Sequence, residues 1–467
     1  MSDELASPPD LDTKALRPRP GRTALRLEIL RLAWPVVLQN LFRTFMIIVD
    51  TAMVGRGLGK DALASMSVIG PIGFSMIAIL MALGVGTIAT VARAHGEGDP
   101  AKREGEAATS VLVALVSGLL LVVPAVILLP RLESLFEVPG STAISHHARH
   151  YLHFFAMAIP GLLLENAASA ILRGSGDTRT PMLFAIGANV LNVVGNYALI
   201  FGHFGMPRME VAGSGLSTMI CYSLQGIGVT LVLFLPGARR RLTFDSFRRV
   251  TRESAARLAR VTGPAIVEPL VMQTGFLVFS KAVTTLGSHP AAAHRAAVTV
   301  ESLSYMPGYG FAVACSALVG QYLGARRPEQ AAVAARESVF LSALLMSLIG
   351  VAFVLVPGSL LGLFVKDDPE TIRLGVACLL IAAFEQPLMG AAMVYAGALR
   401  GAGDTRSPLA IGALSVWLVR VPLAWFLAFV VGWGLNGLWI TMIADWGVRS
   451  AAFAYIVRRG KWKTRML

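Results

Sequence analysis

The chain has 467 residues, 55% of them hydrophobic and only 15% charged, with a mean hydropathy of +0.65. Soluble globular chains carry about 25% charged residues, so this balance excludes an ordinary soluble enzyme or binding module. The net charge of +13 does not point to nucleic acid as a partner, because Lys and Arg sit in short connectors with no aromatic-studded basic domain around them.

Residues 1–26, with Ser7-Pro8-Pro9-Asp10 and Arg17-Pro18-Arg19-Pro20, read as a disordered cytoplasmic tail. They show neither the apolar core nor the cleavage pattern of a signal peptide. Twelve apolar segments follow, near 27–55, 62–92, 106–130, 147–173, 180–202 and 211–235, then 254–286, 296–322, 331–357, 372–399, 408–431 and 435–457. Each is about the length a helix needs to cross a bilayer, and none alternates a polar face every turn as a soluble helix would. The predicted fold is therefore all-α and polytopic, with a six-helix bundle over 27–235, a linker over 236–253, a second six-helix bundle over 254–457 and a basic tail over 458–467. Pro35, Pro160, Pro264, Pro307 and Pro387 fall inside spans as kinks that bundle neighbours can re-satisfy. Cys221, Cys315 and Cys378 lie in apolar stretches and read as buried thiols.

Basic residues mark every second connector. They include Lys14 to Arg26 before the first span, Arg93, Lys102 and Arg103 after the second, and Arg173 and Arg179 after the fourth. Arg239–Arg241, Arg248, Arg249 and Arg252 follow the sixth span, Arg326 and Arg327 the eighth, Arg400 and Arg406 the tenth, and Arg458 to Arg465 the twelfth. The alternate loops hold few: Arg56, Lys60, Arg131, Arg208, Lys366 and Arg373. The rule that basic loops stay inside puts both termini in the cytoplasm and the spans in the plasma (inner) membrane.

A duplication runs through the chain. Leu172-Arg-Gly-Ser-Gly-Asp-Thr-Arg-Thr-Pro181 returns 227 residues later as Leu399-Arg-Gly-Ala-Gly-Asp-Thr-Arg-Ser-Pro408; Pro35 returns as Pro264, 229 later, and Pro100 as Pro328, 228 later. Six spans per repeat leave both halves facing the same way. Such parallel repeats place substrate near the midplane and alternate by rocking one half against the other. In the repeated motif the glycines permit a tight turn, Asp177 and Asp404 can cap the next helix, and the arginines can meet carbonyls or lipid phosphates.

This motif, together with Val49-Asp-Thr-Ala-Met-Val-Gly55 and Val211-Ala-Gly-Ser-Gly-Leu-Ser-Thr218, resembles the MATE (multidrug and toxic compound extrusion) family over nearly everything after residue 25. Pro264-Ala-Ile-Val-Glu-Pro269 is most similar to the DinF-type branch. The resemblance implies antiporters with two six-helix bundles around a central cleft, exporting amphipathic, often cationic compounds against inward H⁺ or Na⁺. It needs no other cofactor, and a monomer suffices.

Ionisable residues inside spans are the functional candidates. Asp50 matches the family's N-half carboxylate and reads as the coupling group, with a pairing to Arg43 or Arg56 as the structural alternative. Asn192, Asn196 and Thr218 complete a cation-coupling pocket; some relatives have Asp where Asn196 stands, which makes a shared-carboxylate relay here doubtful. Gln39, Asn40, Met46, Glu268, Gln273, Glu301 and Glu385 are candidates for the substrate cleft, with Glu165 nearby. Asp404 matches a position that Na⁺-linked relatives use for the cation, but equally fits the turn. Arg420, Asp445 and Arg449 read as a buried ion-pair lock. A lipid or lipid-linked oligosaccharide flippase is the alternative function; it needs a more basic cleft than the sequence displays. No filter sequence, zinc spacing or phosphate-binding Gly-Lys loop supports a channel, an enzyme or ATP drive.

Overall fold

In lipid, helices gain nothing from burying apolar surface against each other, so close packing through small residues must hold the spans together. The chain has 46 glycines, and their placement explains much of the architecture. The computed structural model describes residues 21–134, 142–235, 242–365 and 368–464, and its regular elements there are all helical. Positions 1–20, Arg239–Arg241, Lys366 and Arg465 lie outside the described residues.

The first half contains α1 (Arg22–Leu58), α2 (Lys60–Leu80), α3 (Ala82–Glu97), α4 (Pro100–Ser134), α5 (Thr142–Met157), α6 (Ile159–Gly174), α7 (Arg179–Phe201) and α8 (Glu210–Val232). The second contains α9 (Arg252–Thr285), α10 (Ser288–Gly324), α11 (Pro328–Leu355), a short α12 (Pro357–Gly362) and α13 (Pro369–Gly401). It closes with α14 (Arg406–Leu414), α15 (Val421–Trp425) and α16 (Gly434–Arg459). Among the described residues, eleven helices are long and apolar enough to span a membrane. The predicted fourth span is the pair α5 and α6, bent by 47° where Pro160 interrupts the hydrogen-bond ladder; taken as one span it makes twelve. The predicted eleventh span is α14 and α15 with wide π-helical turns at Ser415–Arg420 and Phe426–Val430. Large apolar side chains such as Leu119, Leu120 and Ile127 point outward, as lipid requires.

Two expected boundaries move. Helix α1 begins at Arg22, inside the region expected to be tail, because Leu25 and Ile29 are buried in the second half's core and Arg26 pairs with Glu337 of α11 at 2.6 Å. The basic C-terminal segment is folded as far as Thr464: Trp462 is buried and donates to the Val457 carbonyl. The linker is not free either. A 3₁₀ turn at Phe244–Arg249 lies on α4, where Arg249 reaches Glu104 at 2.9 Å.

The two halves meet across a pseudo-twofold axis at the end of the bundle that carries the termini, here called the terminal face. There α3 and α10 cross backbone to backbone. A Cβ built on Gly96 would lie 1.9 Å from the Gln321 carbonyl oxygen, and one on Gly324 would lie 2.0 Å from that of Arg93. The two contacts are related by the same 228-residue offset as the sequence repeat. Reciprocal ion pairs flank the crossing: Arg26 of α1 with Glu337 of α11, and Arg257 of α9 with Glu106 of α4 at 3.1 Å. Thr109 and Ser254 add a hydrogen bond of 2.8 Å.

No rotation of a new side chain relieves a clash with backbone. Gly324→Val should therefore cost about 1–3 kcal/mol of stability, the usual range for overpacking, and shift the chain away from the state sealed at the terminal face. Thermal unfolding in detergent checks it against Gly187→Val, whose added Cβ meets nothing within 4 Å; an equal effect of both substitutions would remove the crossing's special role.

Candidate functional site

The doubled motif has a local explanation. Gly174 and Gly401 end α6 and α13 where these helices lie against α3 and α10; a Cβ on Gly401 would sit 2.2 Å from the Ser316 carbonyl oxygen. Gly176 and Gly403 have φ of +88° and +82°, the left-handed turn that glycine adopts without strain. Asp177 accepts from the Thr180 amide, and Asp404 from the Ser407 amide and hydroxyl, at 3.1, 3.1 and 2.6 Å. Asp404 thus caps a helix as its counterpart Asp177 does, and those capping bonds occupy both its oxygens. Its contacts support the turn reading over the Na⁺ reading.

In the first half a polar pocket forms between α1, α7 and α8. Asp50 is 5% exposed. Its carboxylate accepts a short bond from the Asn196 amide and one of 3.4 Å from the Thr218 hydroxyl. Asn192 links both neighbours, donating to Thr218 at 3.4 Å and accepting from Asn196 at 3.2 Å. All four residues predicted for coupling are therefore in one cluster. The alternative pairing of Asp50 with Arg43 is not found: Arg43 turns to Glu165 at 3.4 Å and to the Met81 sulfur. Asn196 Oδ1 is buried without a donor, so with Asp50 and Thr218 the pocket offers converging oxygens, the ligand type a hard cation takes. Tyr151, close to Asp50 and at bonding reach of Thr218, belongs to this pocket and was not found from sequence. Only its place on the face of α5 turned to α8 reveals it.

The cleft candidates divide. Gln39 bonds across helices, donating to Glu165 at 3.3 Å and accepting from Arg173 at 2.7 Å. Asn40 donates to the Val36 carbonyl of its own helix at 2.8 Å, and Met46 is buried in the first half's core. Glu268 pairs with Arg400 at 2.6 Å. Gln273 reaches Ser75 of α2 at 3.5 Å, across the two halves. Glu301 and Glu385 come together deep in the second half, and neither oxygen of Glu385 has a donor. A proton or a cation between these carboxyls is what their contact needs. Nearby, Asp445 is fully buried and shared by Arg420 at 2.7 Å and Arg449 at 3.0 Å, with Ser415 donating to it. The expected lock is formed. The second half has no equivalent of the Asp50 pocket: the repeat offsets place Val278 or Phe279 opposite Asp50.

The sequence model of the MatE family matches the chain twice, at residues 35–198 and 264–426, the same duplication read from the motifs. The chain is 31% identical over 446 residues to a protein of Thermotoga maritima named "Probable multidrug resistance protein NorM", covering 94% of each. It is 32% identical over 455 residues to the like-named protein of Pseudomonas aeruginosa, covering 94% and 90%. These relatives do not single out the DinF-type branch. Among solved structures it resembles one described as the outward-facing conformation of a multidrug resistance MATE family transporter (TM-score 0.86, 22% identity, 96% and 98% covered). A MATE transporter of Vibrio cholerae in the bent form is similar too (TM-score 0.85, 19% identity, 95% and 99% covered).

Asp445→Ala leaves two guanidiniums buried against one another, so it should cost about 3–5 kcal/mol. The expected result is loss of most of the monodisperse protein on size exclusion and a lower melting temperature. Wild-type behaviour would mean that Arg420 and Arg449 are solvated.

Proposed function

The chain belongs to the MatE family, and from that premise we propose a secondary active multidrug efflux antiporter. It exports amphipathic and cationic small molecules in exchange for H⁺ or Na⁺ by alternating access. The observation that carries this reading is the Asp50 pocket: a buried carboxylate met by amide and hydroxyl donors and by no described cationic side chain. Such a group costs several kcal/mol unless something neutralises it, and a proton or Na⁺ arriving from the open side does so. The ion redistributes the bonds among Asp50, Asn192, Asn196 and Thr218, which tie α1 to α7 and α8. Ion binding in the first half thereby acts on the helix that reaches across to α10 and α11. The paired carboxyls Glu301 and Glu385 offer a second place for a proton in the other half.

The described basic connectors fall at the terminal face, which supports a cytoplasmic location for both termini in a plasma (inner) membrane. Membrane lipids then surround the outward apolar surfaces. One chain supplies both halves and the crossing between them, so a monomer is sufficient. The relatives are named for multidrug resistance, which does not favour a lipid flippase.

The test reconstitutes wild type and Asp50→Asn in liposomes and follows efflux of a fluorescent cation under H⁺ and Na⁺ gradients imposed separately. Gradient-driven efflux should fall at least about tenfold in Asp50→Asn, corresponding to roughly 1.4 kcal/mol, under one gradient only, which names the ion. If Na⁺ is the ion, it should also raise the wild-type melting temperature and leave that of Asp50→Asn unchanged. A folded wild type that moves no dye under either gradient would sink the antiporter reading.

A further inference from the structure

The first arginine of each repeated motif has a use that capping and turning leave unexplained. Arg173 and Arg400 do not lie in the connector; they belong to the last turns of α6 and α13, where Arg173 donates to Gln39 at 2.7 Å and Arg400 to Glu268 at 2.6 Å. Tyr309 of α10 is within electrostatic reach of Arg43 and Arg173 of the first half and of Arg400 of the second. It packs against Val36, Ile88 and Ala170 of the first half and Met389 and Met393 of the second. Tyr305, one turn away on the same helix, is near Arg400 and Glu268 and is 40% exposed. The crossing of α3 and α10 lies on the terminal side, where Gln321 donates to the Gly174 carbonyl at 2.8 Å.

The charges here do not balance. Three guanidiniums, Arg43, Arg173 and Arg400, face two carboxylates, Glu165 and Glu268. Glu165 is divided among Gln39, Ser169 and Arg43 at 3.3, 2.8 and 3.4 Å. Behind them Arg420 and Arg449 share Asp445, with Glu301 and Glu385 beside it; one proton held between those two carboxyls leaves that cluster neutral, so it lends no negative charge. The Nε–H groups of Arg173 and Arg400 are both buried without an acceptor, although Arg173 as a residue is only 5% exposed. Two symmetry-related orphan donors with a surplus positive charge, at membrane depth, make an anion site in need of its anion. Arg43 and Arg400 keep 20% and 23% of their side chains accessible, so the site can be reached through them.

We propose that Arg173 and Arg400, with Arg43, form a subsite for an oxyanion carried by the transported amphiphile, so that carboxylate-bearing and zwitterionic molecules are preferred over their purely cationic analogues. This deepens the efflux reading above and rests on it. Because the donors come from both halves, the bound anion bridges the two halves beside their crossing. Guanidinium forks suit carboxylate and phosphate alike, so a lipid headgroup is the competing source of the anion.

The experiment compares rhodamine B, which has a free carboxylate, with its ethyl ester, which lacks it. Affinity is measured by fluorescence anisotropy on the purified full-length protein, and efflux in phosphatidylcholine liposomes with and without phosphatidylglycerol. Wild type should bind rhodamine B about tenfold more tightly than the ester, and Arg173→Gln and Arg400→Gln should each collapse that ratio toward one. Glu268→Gln removes the carboxylate that competes for Arg400 and should raise the ratio, a gain that misfolding cannot produce. Equal binding of both dyes by wild type, or ratios unmoved by all three substitutions, would overturn the subsite while leaving efflux of the ester, and hence the antiporter, intact. If neither dye binds nor moves, the efflux reading falls and the subsite with it. If phosphatidylglycerol abolishes the preference for rhodamine B, the site belongs to a lipid phosphate, and the substrate claim is wrong.

Discussion

The molecule's geometry hangs on one close approach, the crossing of α3 and α10. Two helices in lipid hold together only where their backbones come near enough for dispersion and weak polar contacts to outcompete lipid chains. Gly96 and Gly324 allow this, each placed where any side chain would collide with the opposite carbonyl. Because the two contacts are symmetry mates, the crossing sits on the pseudo-twofold axis itself. A rocking motion of one half against the other must begin by parting it. The ion pairs of Arg26 with Glu337 and Arg257 with Glu106 lie farther from the axis and therefore have to travel farther when it does.

Above that crossing the halves share a scaffold and differ in electrostatics. The first half buries Asp50 among neutral donors, apart from its Glu165–Arg43 pair; the second buries carboxylates and guanidiniums together in a dense network on α10, α13, α15's flanking π turns and α16. A lone carboxylate responds strongly to a single arriving ion. A network in which Asp445 is held by two arginines and a serine resists change, and its wide π turns let Ser415 and Arg420 reach the same carboxylate. Rigidity on one side and responsiveness on the other suit the alternating-access exchange proposed above.

Much of this was legible in the residues. Apolar runs of span length gave twelve spans, eleven of them single helices among the described residues and one the bent α5–α6 pair, and the doubled motif gave the parallel halves. Asp50, Asn192, Asn196 and Thr218 could be grouped because four-residue spacing on α7 puts two amides on one face and the resemblance supplied the others. Partners across helices were not legible. Glu165 and Arg43 could not be joined without knowing that α6 lies beside α1, and Tyr151 gave no signal because a buried tyrosine in an apolar run looks like any core aromatic. Arg173 and Arg400 were misleading for a physical reason: they end their helices beside a basic connector, and composition cannot tell an arginine facing lipid phosphate from one turned inward under Tyr309.

The absence of an Asp50 equivalent in the second half has an evolutionary consequence. Two separate identical subunits would carry the buried carboxylate twice, and any mutation of it would strike both sides at once. In a fused chain the copies are free of that tie: Val278 and Phe279 stand where the offsets place a counterpart of Asp50, and the carboxylate occurs on one side alone. The two halves are therefore not interchangeable parts.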